Sequence, residues 1–514
     1  MLFFANPVLF AADVIPQEWG RQVEAARLYA QWARGELAGG GAGQERLLAF
    51  LERAQDYADC SSDLSYMLAL AREALGKSAR SVALAAGRAV AAERWEFWNA
   101  EDGLFLRAKM EARLRLYDDA LRSLSLCAEN EERALLRLSV LLQASRTDGR
   151  YLAEFRRRLD AALARYPFEA GIARIAFKWA SAAAEDTAGA GDTAGAEDSA
   201  DAVVEVLLKR LPALEERDGD LAFIAAPFLA NVEASRALLA GYYARNNGVV
   251  PSAALPALLH FGVVDEDAAL AALFGGDVLD VADVRRVWGL LRTDAAREGF
   301  RRLTAAFSGE LTGDFDGDGY IEARARFLDG LPVSFSLDDS QDNDADGLVV
   351  LLFEAGVPVR ARAPFRGEGE GAAGEFTVRY RQYPEVAEVA APAGVVFRFP
   401  PGGFFFKPVV FGELGGAFGL AVPLPASRAS RLLSERVLWA NASEVERTGE
   451  NFAGSVVRLQ LAAGSVTGAR EFLDGVLVCE DFYAGGSLRE RRIDMDLDGV
   501  LETRLFFPPP APPR

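Results

Sequence analysis

Residues 314–322 read DFDGDGYIE, and the same pattern returns as DMDLDGVLE at residues 494–502. Both copies have the form D-x-D-x-D-G-x-x-E, whereas DNDADGLVV at residues 342–350 lacks the final glutamate. We refer to these residues as the first (314–322), middle (342–350) and last (494–502) acidic loops. Asp-Gly pairs favour tight turns, and the residues after the first and last loops alternate as in a strand. The motif therefore predicts units in which an acidic loop leads into a β-strand.

The spacing of the acidic residues suits a hard metal cation. Ca²⁺ takes about six to eight oxygen ligands, and glycine permits the sharp turn that brings alternate carboxylates together. The alternative is a solvated hairpin turn that binds no ion, because Asp is common in such turns. The predicted Ca²⁺ ligands are the acidic side chains of all three loops and two backbone carbonyls, namely Asp314, Asp316, Asp318, Tyr320, Glu322, Asp342, Asp344, Asp346, Asp494, Asp496, Asp498, Val500 and Glu502.

The acidic loops depart from the EF-hand, in which a bidentate glutamate occupies the twelfth position. That position is Ala325 in the first copy and Leu505 in the last, whereas glutamate stands at the ninth position, as Glu322 and Glu502. This shorter form resembles the β-hairpin calcium loops of integrin-type and related extracellular β-repeats. The resemblance implies that the ninth residue binds the ion and that a strand follows it.

The composition excludes several classes of function. The net charge of −19 argues against nucleic acid as a partner, since nucleic acid selects basic surfaces. Cys60, Cys127 and Cys479 lack the spacing of a disulfide framework or a zinc site. The single histidine, His260, lies in an apolar run and is expected to pack in the core. Mechanisms that need a histidine pair or a Ser-His-Asp triad are therefore disfavoured.

The N-terminal segment has features of an export signal. Residues 1–12, MLFFANPVLFAA, are apolar and end in small residues, like a signal-peptide remnant that lacks its basic start. Oxygen-only calcium sites also fill most readily outside the cytosol. We therefore expect an exported protein, periplasmic or on the cell surface, with the cytoplasm as the alternative. No stretch has the length and apolar character of a transmembrane helix, so no integral membrane segment is expected.

The region before the acidic loops has the apolar spacing of helices. This spacing runs through residues 13–181 and resumes over residues 203–307, where we expect further helical hairpins and a single helix over residues 281–307. Residues 182–202 are rich in Ala, Gly, Asp and Glu and have no apolar pattern. That composition predicts an acidic disordered insertion between the two helical regions.

One pair of helices carries a repeat pattern. Its apolar and small residues have the spacing of two closely packed helices, with a tyrosine at the start of the second: Leu104, Ala108, Tyr117, Ala120, Leu121, Leu124 and Cys127. This pattern resembles the tetratricopeptide repeat (TPR), and degenerate copies extend the resemblance over residues 60–180. The resemblance implies an α-solenoid of TPR-like helical hairpins that binds a protein or peptide partner.

Residues 308–514 change from helical to alternating apolar periodicity, and turn residues multiply. An aromatic residue followed by two residues and a glycine recurs at 327–330, 353–356 and 472–475, with the variant FYAGG at 482–486. Such sequences are typical of tight turns between strands. The predicted fold class is therefore multidomain, an α-solenoid of helical hairpins followed by an antiparallel β-repeat domain.

These features together predict a non-catalytic, exported interaction or scaffold protein with a Ca²⁺-stabilised β domain. The alternative from another class is a glycan hydrolase that uses paired carboxylates, although adjacent acids such as Glu480 and Asp481 are too common to identify such a pair. A cell-envelope assembly factor would differ from the leading prediction only in its partner.

Overall fold

A computed structural model describes residues 25–27, 29–30, 44–54, 61–187, 194–338, 340–341, 348–366, 373–413, 421–427, 433–449 and 452–508. Over these residues the chain is helical first and then forms a large antiparallel sheet, which confirms the predicted order of α then β. Two compact units are present, Met1–Phe228 with Ser340–Asp344 and Leu229–Asp339 with Ala345–Arg514. None of the described helices is both long and apolar enough to span a bilayer.

The first unit is built from helices that pack in chain order. Each helix contacts the next one along the sequence, as expected of successive helical hairpins. They are α1 (Gln44–Arg53), α2 (Ser62–Ala74), α3 (Ala79–Ala92), α4 (Ala100–Arg113), α5 (Tyr117–Ser125), α6 (Glu131–Thr147), α7 (Arg150–Arg165), α8 (Ala170–Thr187), α9 (Ala194–Glu215) and α10 (Leu221–Ala225).

Short polar side chains begin several of these helices. The Leu64 N–H donates to Ser61 Oγ at 3.4 Å, and a reciprocal pair of hydrogen bonds between Asn99 and Asp102 caps α4. These side chains satisfy N–H groups that have no partner within the helix. The buried faces are rich in alanine, as at Ala69 and Ala86, so the helices can approach closely.

A buried carboxylate fixes the chain between α3 and α4. Asp63, in the first turn of α2, accepts the backbone N–H of Glu96 at 2.8 Å, of Trp98 at 3.2 Å and of Phe97 at 3.3 Å. Its side chain is almost completely buried, so these hydrogen bonds replace those that water would make. The aromatic ring of Tyr66 packs edge-on against Trp98 beside this contact, with ring centroids 5.4 Å apart.

Helix extends into both ends of the segment 182–202, for which the sequence predicts disorder. Helix α8 ends at Thr187 and α9 begins at Ala194, while residues 188–193 lie outside the described residues. The physical reason is that alanine has the highest helix propensity, so an alanine-rich stretch can continue a packed helix without adding apolar surface to the core.

The second unit begins with further helices. Its helices are α11 (Val232–Arg245), α12 (Leu255–His260), α13 (Glu266–Leu273), α14 (Val281–Leu290), α15 (Asp294–Ala305) and, later, α16 (Glu435–Asn441). The single helix predicted over residues 281–307 is wrong, because the chain leaves the helical conformation after α14. Thr293 then caps α15 by accepting the Ala296 N–H at 3.2 Å.

The β-strands form a sheet in which almost every strand pairs with its neighbours in sequence. Only β1 and β2 are parallel in the described sheet, β9 pairs with β8 and β12, and β10 and β11 form a separate hairpin. The strands are β1 (Val278–Asp280), β2 (Gly309–Gly313), β3 (Ala323–Leu328), β4 (Leu331–Leu337), β5 (Val349–Glu354), β6 (Val357–Arg366), β7 (Ala373–Gln382), β8 (Glu385–Ala390), β9 (Val396–Arg398), β10 (Val409–Glu413), β11 (Ala421–Pro425), β12 (Glu444–Thr448), β13 (Val456–Ala462), β14 (Ser465–Leu473), β15 (Val476–Ala484), β16 (Ser487–Ile493) and β17 (Thr503–Phe506).

The predicted aromatic-to-glycine turns connect adjacent antiparallel strands. Between β3 and β4, Asp329 and Gly330 have φ of 47° and 71°, and the flanking residues Leu328 and Leu331 pair directly. Positive φ at both positions is the signature of a type I′ hairpin turn, whose twist matches that of the strands. The turns at residues 355–356, 474–475 and 485–486 have the same two positive φ values, as does one at 463–464 that lacks the aromatic residue.

One face of the sheet supplies the core of the second unit. Along β3 the residues alternate between buried and exposed, and Phe335 of β4 lies in register between Ala325 of β3 and Leu351 of β5. Farther along the sheet, Phe397 packs against Trp439 of α16 with ring centroids 5.5 Å apart. The alternation places the polar side chains of these strands on the opposite face.

Candidate metal centre

The first acidic loop connects β2 to β3, and its carboxylates accept N–H groups of the loop itself. Asp314 accepts the backbone N–H of Gly317 at 2.6 Å and of Gly319 at 2.8 Å. Glu322, at the end of the loop, reaches back to the N–H of Phe315 at 2.9 Å. Glycine at positions 317 and 319 has positive φ, which turns these N–H groups inward.

The two middle acids of the first loop form a chain of similar contacts. Asp316 Oδ1 accepts the Asp318 N–H at 3.1 Å, and Asp318 Oδ1 accepts the Tyr320 N–H at 2.7 Å. Each bond links a side chain to the backbone two residues later, as in an Asx turn. The alternating acids therefore fix the loop's conformation as well as its charge.

The last acidic loop connects β16 to β17 and repeats these contacts. Asp494 accepts the Gly499 N–H at 2.7 Å and the Asp498 N–H at 3.2 Å, and Glu502 accepts the Met495 N–H at 2.8 Å. The chain of middle contacts is also present, from the N–H of residue 498 to Asp496 and from the N–H of residue 500 to Asp498. The two loops are therefore equivalent in hydrogen bonding as well as in sequence.

The carboxyl group of Asp494 is ionised more readily than an ordinary aspartate. Burial raises its pKa, but hydrogen bonds from the backbone N–H groups of Gly499, Leu497 and Asp498 outweigh this effect and lower it. The net result is a pKa below the usual value. Asp494 is thus negatively charged at neutral pH, as a ligand of a hard cation must be.

Carboxylate oxygens converge in both loops. In the first loop Asp314, Asp316 and Glu322 each offer an oxygen within 4.8 Å of the other two. Ca²⁺ holds oxygens at about 2.3–2.6 Å, so ligands on opposite sides of one ion are about 5 Å apart. The last loop meets the same 4.8 Å condition with four residues, Asp494, Asp496, Asp498 and Glu502.

Not every predicted ligand joins these clusters. Asp318 is not among the converging oxygens of the first loop, although its equivalent Asp498 belongs to those of the last. The Val500 carbonyl accepts the Glu502 N–H at 3.1 Å. Tyr320 donates its N–H to Asp318 and its hydroxyl to Asp338, each at 2.7 Å. Asp342, Asp344 and Asp346 of the middle loop lie outside the described residues.

Asp338 contacts the first acidic loop, although the sequence pattern did not predict it as part of the site. It follows β4, and its Oδ2 accepts the Tyr320 hydroxyl at 2.7 Å while its N–H donates to the Glu322 carbonyl at 2.8 Å. The carboxylate is buried and adds negative charge beside the cluster. Its place in the sequence could have indicated this contact, because it follows the strand that runs back from the turn at residues 327–330 toward the loop.

Leu497 is strained relative to its equivalent in the first loop. It has φ of 63°, and the same position in the first loop is Gly317, with φ of 73°. A side chain in the left-handed region costs about 1–2 kcal/mol, and glycine loses part of that gain through its larger entropy when unfolded. We expect Leu497→Gly to raise the free energy of unfolding by about 0.5–1 kcal/mol, measured by denaturant titration.

The reciprocal substitution provides the matched control for Leu497. Gly317→Leu places a branched side chain at the same left-handed position and is expected to cost about 1 kcal/mol. Opposite signs for the two variants would establish that the loops share one backbone requirement. A loss of stability in Leu497→Gly would contradict the assignment of strain to this residue.

The single histidine is exposed, and the expectation that it packs in the core is wrong. His260 ends α12 and contacts Phe261 edge-on, with ring centroids 4.8 Å apart. It lies two residues after the buried Leu258, and two residues along a helix is about half a turn, so the ring points away from the core. The histidine lines a surface cavity of 590 Å³ between α12, α13 and α15.

Two carboxylates of this cavity, Asp265 and Glu266, bind the ends of helices. Asp265 caps α13 by accepting the Ala268 N–H at 2.8 Å. Glu266 accepts the backbone N–H of Arg292 and the hydroxyl of Thr293, and these bonds lower its pKa from the ordinary value. The arrangement explains how α13 and the start of α15 are joined, and it identifies no catalytic pair.

Comparison with known proteins adds no assignment for this chain. No protein-family model matches it, and no curated protein sequence is significantly similar to it. Functional inference therefore depends on the geometry of the loops and of the sheet that carries them.

Proposed function

We propose that the protein is a non-catalytic, exported interaction or scaffold protein, in which Ca²⁺ stabilises the β-sheet and the helical region binds a protein or peptide. The observation that carries the proposal is the equivalence of the first and last acidic loops. They lie near opposite ends of the sheet. They nevertheless have the same pattern of acidic residues, equivalent backbone hydrogen bonds and converging carboxylates.

The chemistry of the two clusters favours Ca²⁺ over other metals. Their side-chain ligands are all carboxylates, without the histidine or cysteine that softer metals prefer. Mg²⁺ is usually bound by only about one or two protein carboxylates and keeps several waters, whereas Ca²⁺ accepts crowded and irregular oxygen shells. Four carboxylates converging in the last loop match Ca²⁺ better.

Binding would act on stability because the clustered carboxylates repel one another. A cation bound to the folded loop offsets this repulsion, and it binds the unfolded chain more weakly because the ligands are then dispersed. At a free Ca²⁺ concentration about 100 times the Kd, one site adds about 2.7 kcal/mol to the free energy of unfolding. Calcium concentrations outside the cytosol suit such sites, which supports an exported location, in the periplasm or on the cell surface.

The acidic pair considered for catalysis is bound by arginine side chains of the neighbouring strands. Glu480 and Asp481 are neighbours on β15, so their side chains point to opposite faces of the sheet. Glu480 is bound by Arg470 at 2.9 Å, and Asp481 by both nitrogens of the Arg491 fork at 2.7 Å. These are the contacts of structural ion pairs, and residues on opposite faces cannot flank one glycosidic bond.

The proposed partner of the helical region rests on analogy of fold. Successive helical hairpins are widely used to bind peptides and proteins, but a fold by itself does not define a ligand. Apolar side chains exposed on this unit supply contact residues for such a partner, namely Leu84, Leu116, Leu126 and Phe168.

The test is thermal unfolding of the purified chain with excess Ca²⁺, with Mg²⁺ and with EDTA. We expect Ca²⁺ to raise the melting temperature of the β-sheet by several degrees, and Mg²⁺ to have a smaller effect. Asp316→Ala combined with Asp496→Ala removes one ligand from each loop and is expected to abolish the Ca²⁺-dependent shift.

The matched control removes the same charge outside the acidic loops. Asp329 and Asp474 are exposed turn residues with positive φ, a conformation that asparagine adopts readily. Asp329→Asn combined with Asp474→Asn should therefore keep the full response to Ca²⁺. Identical melting of the unmodified chain in Ca²⁺ and EDTA, with no heat of binding by calorimetry, would reduce the loops to acidic hairpin turns.

A further inference from the structure

The outer edge of β17 presents backbone groups that the sheet does not use. The Phe507 N–H donates to the Arg489 carbonyl at 2.9 Å, and hydrogen-bonded pairs alternate along an antiparallel ladder. Leu505 therefore bonds to β16, while the N–H and C=O groups of Arg504 and Phe506 point away from it. Within the described part of the chain, no strand pairs with this side of β17.

The strand that follows the first acidic loop, β3, has the equivalent edge, and there it is paired with β4. Strand β3 follows that loop as β17 follows the last, so Arg324 and Arg326 are equivalent to Arg504 and Phe506. Both residues of β3 pair with β4 on the side away from β2. An edge built in this way therefore accepts an antiparallel strand when one is available.

The side chains at this edge are unusually apolar. Leu505, Phe506 and Phe507 are 44%, 73% and 37% exposed, whereas natural edge strands are commonly protected by charge or proline. Five of the six residues at 508–513 are prolines, which carry no N–H for a ladder. These prolines cannot donate hydrogen bonds to the edge, and the apolar side chains of β17 favour pairing with another strand.

We propose that β17 pairs with β17 of a second copy of this chain, joining two sheets about a twofold axis. An axis through Leu505 places Arg504 of each copy opposite Phe506 of the other. The outward N–H and C=O groups of these residues then form two hydrogen-bonded pairs, and the two Leu505 side chains meet at the axis, where Cα atoms are about 4.5 Å apart. The same patch on both copies is thus complementary to itself.

Charge also favours this register. Within one copy Arg504 lies directly opposite Arg492, which places like charges side by side. In the dimer, Arg504 of one copy lies beside Phe506 of the second copy. On its other side, that Phe506 pairs with Glu490 of its own β16. Each Arg504 gains an aromatic neighbour and a carboxylate beyond it, and the two Arg504 side chains avoid each other.

The first test is sedimentation velocity of the full chain over about a hundredfold range of concentration, because a short interface gives a concentration-dependent dimer. We expect dimer to accumulate with concentration. Phe506→Pro removes an outward N–H without touching the ladder to β16, and it should shift the chain to monomer. Hydrogen exchange of residues 489–493 checks that β16 and β17 remain paired in this variant.

A second test fixes the register. Under oxidising conditions Leu505→Cys should form a disulfide-linked dimer, because the two Cα atoms at the axis lie within disulfide reach. Arg504→Cys is the matched control, since its counterpart lies diagonally across the axis, about 7–8 Å away, and should not cross-link. The unmodified chain, which keeps Cys60, Cys127 and Cys479, gives the background.

The outcomes separate the proposal from its alternatives. A monomer at every concentration overturns it. So does a dimer that persists in Phe506→Pro without cross-linking through position 505, since the contact then lies elsewhere. Cross-linking at position 504 instead of 505 also overturns the twofold register and indicates a different strand alignment.

Discussion

Substitution of Asp63 by alanine is expected to lower the free energy of unfolding of the helical unit by about 3 kcal/mol or more. The buried carboxylate accepts the backbone N–H groups of residues 96–98, and the shorter side chain removes the acceptor that these three groups share. The three donors lie in a partly buried segment, and each hydrogen bond lost there costs about 1 kcal/mol or more. Hydrogen exchange of these amides and denaturant unfolding both measure the effect.

Two control variants separate this contact from general effects of lost charge. Asp63→Asn keeps one acceptor oxygen of nearly the same shape and should lose less stability than alanine. Asp119→Ala removes a partly exposed carboxylate that pairs with Arg122 at 2.9 Å, and its cost should stay within about 0.5 kcal/mol. Equal stability of Asp63→Ala and Asp119→Ala would show that the segment after α3 is held by other contacts.

Replacement of Phe335 by alanine is expected to destabilise the β-sheet unit by about 3–5 kcal/mol. The ring is 1% exposed and lies between Ala325 and Leu351 in register, so its loss leaves a cavity between small or already packed neighbours. Because the chain has two compact units, unfolding is followed with probes of the sheet alone.

The size of the side chain provides the control series at Phe335. Leucine at this position fills most of the space and should cost about 1.5 kcal/mol or less. Phe405, which is exposed, tolerates alanine with a change of about 0.5 kcal/mol or less. A small effect of Phe335→Ala would mean that this face of β4 is not part of the core.

Local chemistry explains which features could be predicted from the sequence. The FLDG turns and the two acidic loops depend on residues that are adjacent in the chain, so Asp-Gly pairs and alternating acids specify their backbone directly. The break before α15 also had a local signal, since Thr293 followed by Asp294 is a typical helix start. The strong apolar periodicity on both sides concealed it.

Features that depend on distant residues could not be predicted in this way. Strand β1 is three residues long, and only its pairing with β2 makes it a strand. The contribution of Asp338 to the first loop likewise depends on the return of β4 beside β3. Composition alone did not reveal that His260 faces outward, because its apolar neighbours belong to another side of the helix.

The short strand β9 has a consequence for how the sheet comes apart. It is three residues long, and through it β8 is joined to β12, although the chain between β9 and β12 passes through the β10–β11 hairpin and α16. Bringing β9 and β12 together closes a long loop, which costs more conformational entropy than closing a tight hairpin. The few hydrogen bonds of the three-residue β9 offset little of this cost. We therefore expect the sheet to unfold as two blocks of strands, with partial unfolding beginning at the junction between them.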